Sequence, residues 1–179
     1  GNYFKKLNSD YKNFNITGLS FNSAECKKGN IFFAIKGVNH DGNNYIKKAI
    51  DRGCKVIVHQ KKIQGIKDGV LYISSKNVRK DLSLIAHKYF KSRPKNILAV
   101  TGTNGKSSIA DFYFQILSMN KKRVASIGTL GIKTKKNIFK VNNTTLDPIT
   151  LAKSLKLLDY LKINNIILEA SSHGLHQNR

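Results

Sequence analysis

The chain has 179 residues, 40% of them hydrophobic and 23% charged, which are the proportions of a globular protein and exclude a disordered one. Two cysteines, Cys26 and Cys54, are too few for a disulfide scaffold and sit in no metal-ligand spacing; no apolar run reaches the roughly 20 residues of a membrane helix and no leader opens the chain, so a soluble, cytoplasmic protein without membrane insertion is expected. The formal charge of +22 is large, but only five of the 32 basic residues are arginine and the lysines are scattered in ones and twos without aromatic interleaving, so no nucleic-acid partner is expected.

Residues 1–18 are polar and asparagine-rich, with Tyr3, Phe4, Leu7 and Tyr11 suggesting a short helix before a turn at Thr17-Gly18. The first firm element is Ile31-Phe32-Phe33-Ala34-Ile35, an apolar run between Gly29-Asn30 and Gly37 that reads as a buried strand. After it, Asp41-Gly42 suits a tight turn, and Asn43 or Asn44 can cap a helix carrying Tyr45, Ile46, Ala49 and Ile50 on one face and ending at Gly53. Lys55-Val56-Ile57-Val58-His59 returns as a strand. This β-loop-α-β unit places ligand contacts in the loop at the carboxyl end of its first strand. Val70-Leu71-Tyr72-Ile73 reads as a third strand, and Asn77 can cap a helix whose Val78, Leu82, Ile85, Ala86, Tyr89 and Phe90 form one apolar stripe. Ser92-Arg93-Pro94-Lys95 breaks that helix, and a domain boundary is placed there, between residues 92 and 93.

The next stretch carries chemistry. Asn96-Ile97-Leu98-Ala99-Val100 reads as a buried parallel strand that runs into Thr101-Gly102-Thr103-Asn104-Gly105-Lys106-Ser107-Ser108 and then a helical pattern. In such a strand-turn-helix corner, successive backbone N–H groups and the positive end of the helix point at an anion, and Gly102 and Gly105 let the main chain approach it. Lys106 would reach the outer phosphates of a nucleotide and Ser107 would ligate magnesium. The spacing is shorter than the general phosphate-loop motif, which wants glycine where this chain has Val100.

Ile109, Phe112, Phe114, Ile116 and Leu117 make the following helix strongly apolar, and Arg123-Val124-Ala125-Ser126-Ile127 returns as a strand. Gly128 to Gly131 and Lys133-Thr134-Lys135-Lys136-Asn137 read as a hairpin leading to Phe139 and Val141. Asp147 as cap and Pro148 in the first turn start a helix with Leu151, Leu155, Leu158 and Leu161 on its face. The final strand, Asn165-Ile166-Ile167-Leu168-Glu169, ends on a carboxylate. In a parallel sheet an acid at that end sits beside the phosphate loop, where it can hold magnesium or a metal-bound water.

Three stretches together, Thr101 to Ser108, Asn143-Thr144-Thr145-Leu146-Asp147-Pro148 and Glu169-Ala170-Ser171-Ser172-His173-Gly174-Leu175-His176-Gln177-Asn178-Arg179, resemble the Mur ligase family, and its E type, the tripeptide synthetases, most of all. Gly29 to Gly37 and Asp41-Gly42 resemble that family's UDP-binding domain, so the likeness spans residues 21–179. It implies an α/β protein: a small N-terminal UDP-substrate-binding domain, residues 1–92, and the first part of a P-loop-type parallel-sheet ATP-binding domain, residues 93–179. It also implies an ATP- and Mg2+-dependent amide ligase of peptidoglycan synthesis. Such an enzyme phosphorylates the D-glutamate carboxylate of UDP-N-acetylmuramoyl-L-alanyl-D-glutamate, and the amine of a diamino acid, diaminopimelate or L-lysine, then attacks the acyl phosphate.

Position by position, the resemblance implies that Gly102, Thr103, Asn104, Gly105, Lys106, Ser107 and Ser108 bind ATP, and that Ser107, Glu169 and His173 attend the metal. Phe21, Ser23, Val38, Asn39 and His40 match positions that contact the uridine nucleotide. Asn143, Thr144, Thr145, Ser171, Gln177 and Arg179 match those that hold the muramoyl-dipeptide and its diphosphate. The family's Asp-Ser-Arg near the uridine site reads Asn22-Ser23-Ala24 here, which removes a charge pair. The family's central domain runs on past Arg179 to a carbamoylated lysine, and a third domain supplies the diamino-acid site. The expectations that follow are a chain inactive alone, a poorly stable second half, and a monomer at full length. The rival readings are an F-type Mur ligase and a non-catalytic module binding a nucleotide or UDP-sugar.

Overall fold

The computed structural model describes residue 11 and residues 14–37, 40–91, 93–139 and 146–176, apart from the side chain of His173. The expected helix before Thr17 lies for the most part outside the described residues. The chain forms two compact units, residues 1–85 and 86–179.

The first unit is built on a five-stranded sheet of order β1-β2-β3-β5-β4, with β1 at Gly18–Ser20, β2 at Asn30–Phe33, β3 at Val56–His59, β4 at Gly65–Lys67 and β5 at Val70–Ser74. Neighbours pair in parallel except β4, which runs antiparallel to β5. Two of these strands correct the sequence reading. Gly18 belongs to an edge strand, not a turn, and its single apolar side chain, Leu19, gave no alternating pattern. The short β4 hairpins onto β5 through Asp68-Gly69, both at positive φ. Helix α1 (Ile46–Asp51) follows a 3-10 turn at Gly42–Tyr45. The cap of that turn is Asp41, whose carboxylate accepts the Asn43 N–H at 2.9 Å, in place of the asparagines expected to serve. Hydrogen bonds from Asn43, backbone first, hold the Asp41 carboxyl below its ordinary pKa. The core joins Cys26, Phe32, Ala34, Ala49, Cys54, Ile57 and Val70. Both cysteines are free and buried there. Helix α2 (Val78–Phe90) starts, as expected, at Asn77, whose side chain accepts the Lys80 N–H at 3.0 Å.

The second unit has sheet order β6-β10-β7-β8-β9, formed by β6 (Asn96–Val100), β7 (Val124–Gly128), β8 (Gly131–Thr134), β9 (Ile138–Phe139) and β10 (Asn165–Glu169). Strand β10 lies between β6 and β7 and is parallel to both, while β8 and β9 add an antiparallel meander. Helix α4 (Pro148–Tyr160) is capped by Asp147, whose Oδ1 accepts the N–H groups of Ile149 and Thr150 at 3.0 Å each. It lays Leu151, Leu155 and Leu158 against Ala125, Ile127, Ile132 and Ile166. Leu161 falls just past the helix and is exposed.

Strand β6 is not the buried strand its composition suggests. It is the edge of the sheet, with Ile97 40% and Leu98 47% exposed. Only Ala110 and Phe114 of helix α3 (Lys106–Met119) are buried, and Ile109, Phe112, Ile116 and Met119 stand exposed. An apolar run fixes that a strand forms, but its place in the sheet depends on which strands pair with it. Helices α3 and α4 both end in a left-handed lysine, Lys121 at φ 56° and Lys162 at φ 59°. In each case the two residues past the cap donate back to the last turn: Lys121 to Ser118 at 3.1 Å and Lys122 to Leu117 at 2.9 Å after α3, Lys162 to Asp159 and Ile163 to Leu158 at 2.9 Å each after α4.

Candidate functional site

Three carboxyl ends of adjacent parallel strands meet in the second unit, where ligands bind in open α/β sheets. Strand β6 leads into the glycine loop, β10 ends on Glu169, and β7 ends on Gly128. A cavity of about 410 Å³ opens there, lined by Thr103, Asn104, Gly105, Lys106, Ser107, Ser108, Thr129 and Ser171.

Gly105 is the N-cap of α3 at φ 79°, a left-handed conformation costly for any side chain, and it offers no side-chain acceptor to the first-turn N–H groups. Those donors and the positive helix end therefore face the cavity with the lysine beside them. Lys106 Nζ folds back to donate to the carbonyls of Gly102 at 2.7 Å and Thr103 at 3.2 Å, bonds an anionic ligand can replace. Thr103, Asn104 and Ser108 are exposed at the mouth.

Glu169 is only 3% exposed, and among the described residues two hydroxyls bind its carboxylate: Ser107 Oγ donates to Oε2 at 2.7 Å and Thr129 Oγ1 to the same oxygen at 3.2 Å. A buried carboxylate needs such partners or a cation. Hydroxyl and carboxylate oxygens are the hard donors magnesium takes, and magnesium is commonly held by one or two carboxylates with phosphate and water completing its shell. The site therefore fits a hydrated magnesium ion on a nucleotide. Among the described residues no three His, Cys, Asp or Glu side chains cluster for a metal, so an all-protein cage is absent from that part of the chain.

Ser171 follows β10, its hydroxyl accepting the Gly174 N–H at 3.0 Å at the start of the short helix α5 (Ser172–His176), which the sequence reading did not anticipate. His173 is in that helix, but its side chain lies outside the described set. Asn143, Thr144, Thr145, Gln177 and Arg179 also lie outside the described residues.

In the first unit, Ser23 is buried and opens a 3-10 turn (Ser23–Glu25), and Phe21, two residues earlier, is 42% exposed. Asn22 caps that turn by accepting the Ala24 N–H at 3.0 Å, and it donates to Glu25 at 3.0 Å. In place of the charge pair that the resemblance implies, this chain carries a neutral asparagine cap, and Arg52 donates to the Ala24 carbonyl at 2.6 Å. His40 is exposed and its carbonyl accepts the Gly37 N–H at 2.8 Å; Val38 and Asn39 lie outside the described residues.

Two features escaped the sequence reading. Gly128 and Thr129 flank the carboxylate, and only the pairing of β7 with β10 brings them to it. His59, at the carboxyl end of β3, is 1% exposed; its Nδ1 accepts the Lys61 N–H at 3.0 Å, while Nε2 makes no hydrogen bond among the described residues. Burial holds this imidazole below its ordinary pKa.

A parallel sheet with a glycine-lysine-hydroxyl loop on one strand and a buried carboxylate on the next is the architecture of phosphate-binding α/β domains. Residues 100–179 match the Mur ligase middle domain and residues 15–97 match the Mur ligase family, catalytic domain. The chain belongs to the Mur ligase family. It is 39% identical over 181 residues to the UDP-N-acetylmuramoyl-L-alanyl-D-glutamate--2,6-diaminopimelate ligase of Rickettsia prowazekii (strain Madrid E), covering 97% of this chain and 36% of that protein. It is 34% identical to the like-named ligase of Zymomonas mobilis, covering 97% and 35%. The chain thus spans about a third of the length of the curated relatives it matches. A solved structure bearing the same ligase name superposes with a TM-score of 0.73 at 28% identity, over 91% of this chain and 33% of that one. A MurF ligase from Thermotoga maritima in complex with ADP shares the fold, with a TM-score of 0.56 at 23% identity over 86% and 32%.

Proposed function

We propose that this chain forms the two nucleotide-binding parts of an ATP-dependent ligase of peptidoglycan precursor synthesis. That enzyme joins a diamino acid, diaminopimelate or L-lysine, to the D-glutamate carboxyl of UDP-N-acetylmuramoyl-L-alanyl-D-glutamate. One observation carries the reading: the buried Glu169 carboxylate bonded to Ser107 of the glycine-lysine loop, the loop that lines the cavity. The E type is favoured over the F type because the curated relatives from Rickettsia and Zymomonas carry the diaminopimelate-ligase name.

In this reading, residues 1–92 hold the uridine end of the substrate through Phe21, Ser23 and residues 38–40, and residues 93–179 hold ATP. The loop N–H groups and Lys106 neutralise and orient the phosphates, so the γ-phosphoryl group faces the D-glutamate carboxylate. Ser107, Glu169 and, by the family resemblance, His173 would hold magnesium, which supplies positive charge to the transferring group. Asn143, Thr144, Thr145, Ser171, Gln177 and Arg179 would keep the muramoyl-dipeptide in line. The carboxylate takes the phosphoryl group from ATP, releasing ADP; the diamino acid's amine then displaces phosphate to leave an amide.

Titration calorimetry with three muramoyl ligands tests this. UDP-N-acetylmuramoyl-L-alanyl-D-glutamate should bind more tightly than the same compound lacking D-glutamate or already carrying the diamino acid, and MgATP should bind without competing. Tightest binding of the tripeptide compound would move the chain to the F type. No binding of either nucleotide would defeat the proposal.

A further inference from the structure

We propose that Gly128 and Thr129 are positioning residues that set the Glu169 carboxylate for a divalent cation, an inference that rests on the phosphate-site reading above. Glycine inside a strand weakens it and needs a reason. Gly128 ends β7, paired with Gly131 of β8, and is not among the glycines at positive φ, so backbone freedom is not the reason. Space is. A Cβ at Gly128 would lie 2.0 Å from Glu169 Oε1, 2.3 Å from Cδ and 2.6 Å from Cγ, all closer than real Cβ contacts come.

The carboxylate cannot swing aside cheaply, because it is buried and two hydroxyls, Ser107 Oγ at 2.7 Å and Thr129 Oγ1 at 3.2 Å, converge on its other oxygen, Oε2. One oxygen is thus packed over bare backbone and the other is held by two donors, one from the first turn of α3 and one from the turn after β7. Together these fix the carboxylate's depth and plane. Ser107 belongs to the nucleotide loop and would be drawn to the cation. The Thr129 hydroxyl then supplies a contact to Glu169 from outside that loop, while Gly128 supplies the room.

The probe is Mn2+, followed as free ion by electron paramagnetic resonance, with the chain and ADP present. Thr129→Val should weaken Mn2+ binding about ten-fold, as loss of a hydrogen bond to a charged group does. Its ADP affinity in EDTA should stay within two-fold of wild type, and Thr129→Ser should restore Mn2+ affinity. Gly128→Ala should match Glu169→Gln in losing Mn2+; if it fails to fold by circular dichroism, the Thr129 pair decides alone. Wild-type Mn2+ affinity in Thr129→Val, or an equal loss of ADP affinity in EDTA, overturns the positioning role. A wild-type chain that binds ADP but shows no Glu169-dependent Mn2+ binding overturns the metal-site reading itself, and this inference with it.

Discussion

Replacing Lys106 by alanine separates the two proposed sites. Its ammonium donates to the Gly102 and Thr103 carbonyls at 2.7 and 3.2 Å in a partly exposed position, so its own fold loses little: water can replace both bonds, and the melting temperature should move by no more than a degree or two. Bound to a nucleotide, the same ammonium would trade the two carbonyls for phosphate oxygens. A charge-assisted bond of that kind contributes about 1.5–3 kcal/mol, and about 1.4 kcal/mol is ten-fold in affinity, so ATP should bind roughly 10- to 150-fold more weakly. Calorimetry with ATP and, separately, with the UDP-muramoyl ligand reads both effects. The UDP-muramoyl ligand should keep wild-type affinity, because Lys106 is proposed to act on the phosphates of ATP and is not among the residues proposed to hold that ligand. Unchanged ATP affinity, or a parallel loss of uridine affinity, would refute the two-site reasoning.

Asp147→Ala removes the oxygen that accepts two N–H groups at the start of α4 and should cost about 1 kcal/mol, read as a lower urea midpoint; an unchanged midpoint would mean water replaces the cap at no cost. Lys121→Gly and Lys162→Gly relieve left-handed backbones at φ 56° and 59° and should each raise stability by about 1 kcal/mol, with a fall in midpoint as the contrary result. His59 makes stability pH-dependent. Its folded pKa lies below the unfolded value near about 6.5, so the unfolded chain takes up the proton first as pH falls. That contribution is fully present above pH about 6.5 and is lost below it, until the folded pKa is reached. His59→Leu should flatten the difference between urea midpoints at pH 7.5 and 5.5, and an identical slope in both proteins would remove His59 as its source.

What the sequence revealed was local in the chain. The glycine loop, Asn77 and Asp147 as caps, and Glu169 at a strand end are each written within a few neighbouring residues, and each occupies its expected place. What it hid depends on pairing between distant segments. Gly128 reads as a turn glycine until β7 is laid beside β10, and only then does its missing Cβ become the room Glu169 occupies. The same holds for β6, whose apolar run is that of a central strand although it forms the sheet's edge. Strands β1 and β4 are three residues each, too short for alternation to register above the turns around them. The cap falls at Asp41, two or three residues before the expected Asn43 or Asn44, because Asp, Asn and Asn compete in one short loop, and the backbone route of Gly42 against Ile35 decides among them.

The central claim is that MgATP binds where the three strand ends of the second unit meet. Backbone amide chemical-shift mapping during a MgATP titration tests it most directly. The account predicts that Gly102 to Ser108, Gly128, Thr129 and Glu169 shift together along one saturable curve, while β1 to β5 stay still. Shifts confined to the first unit, or none within the glycine loop at saturation, would contradict it.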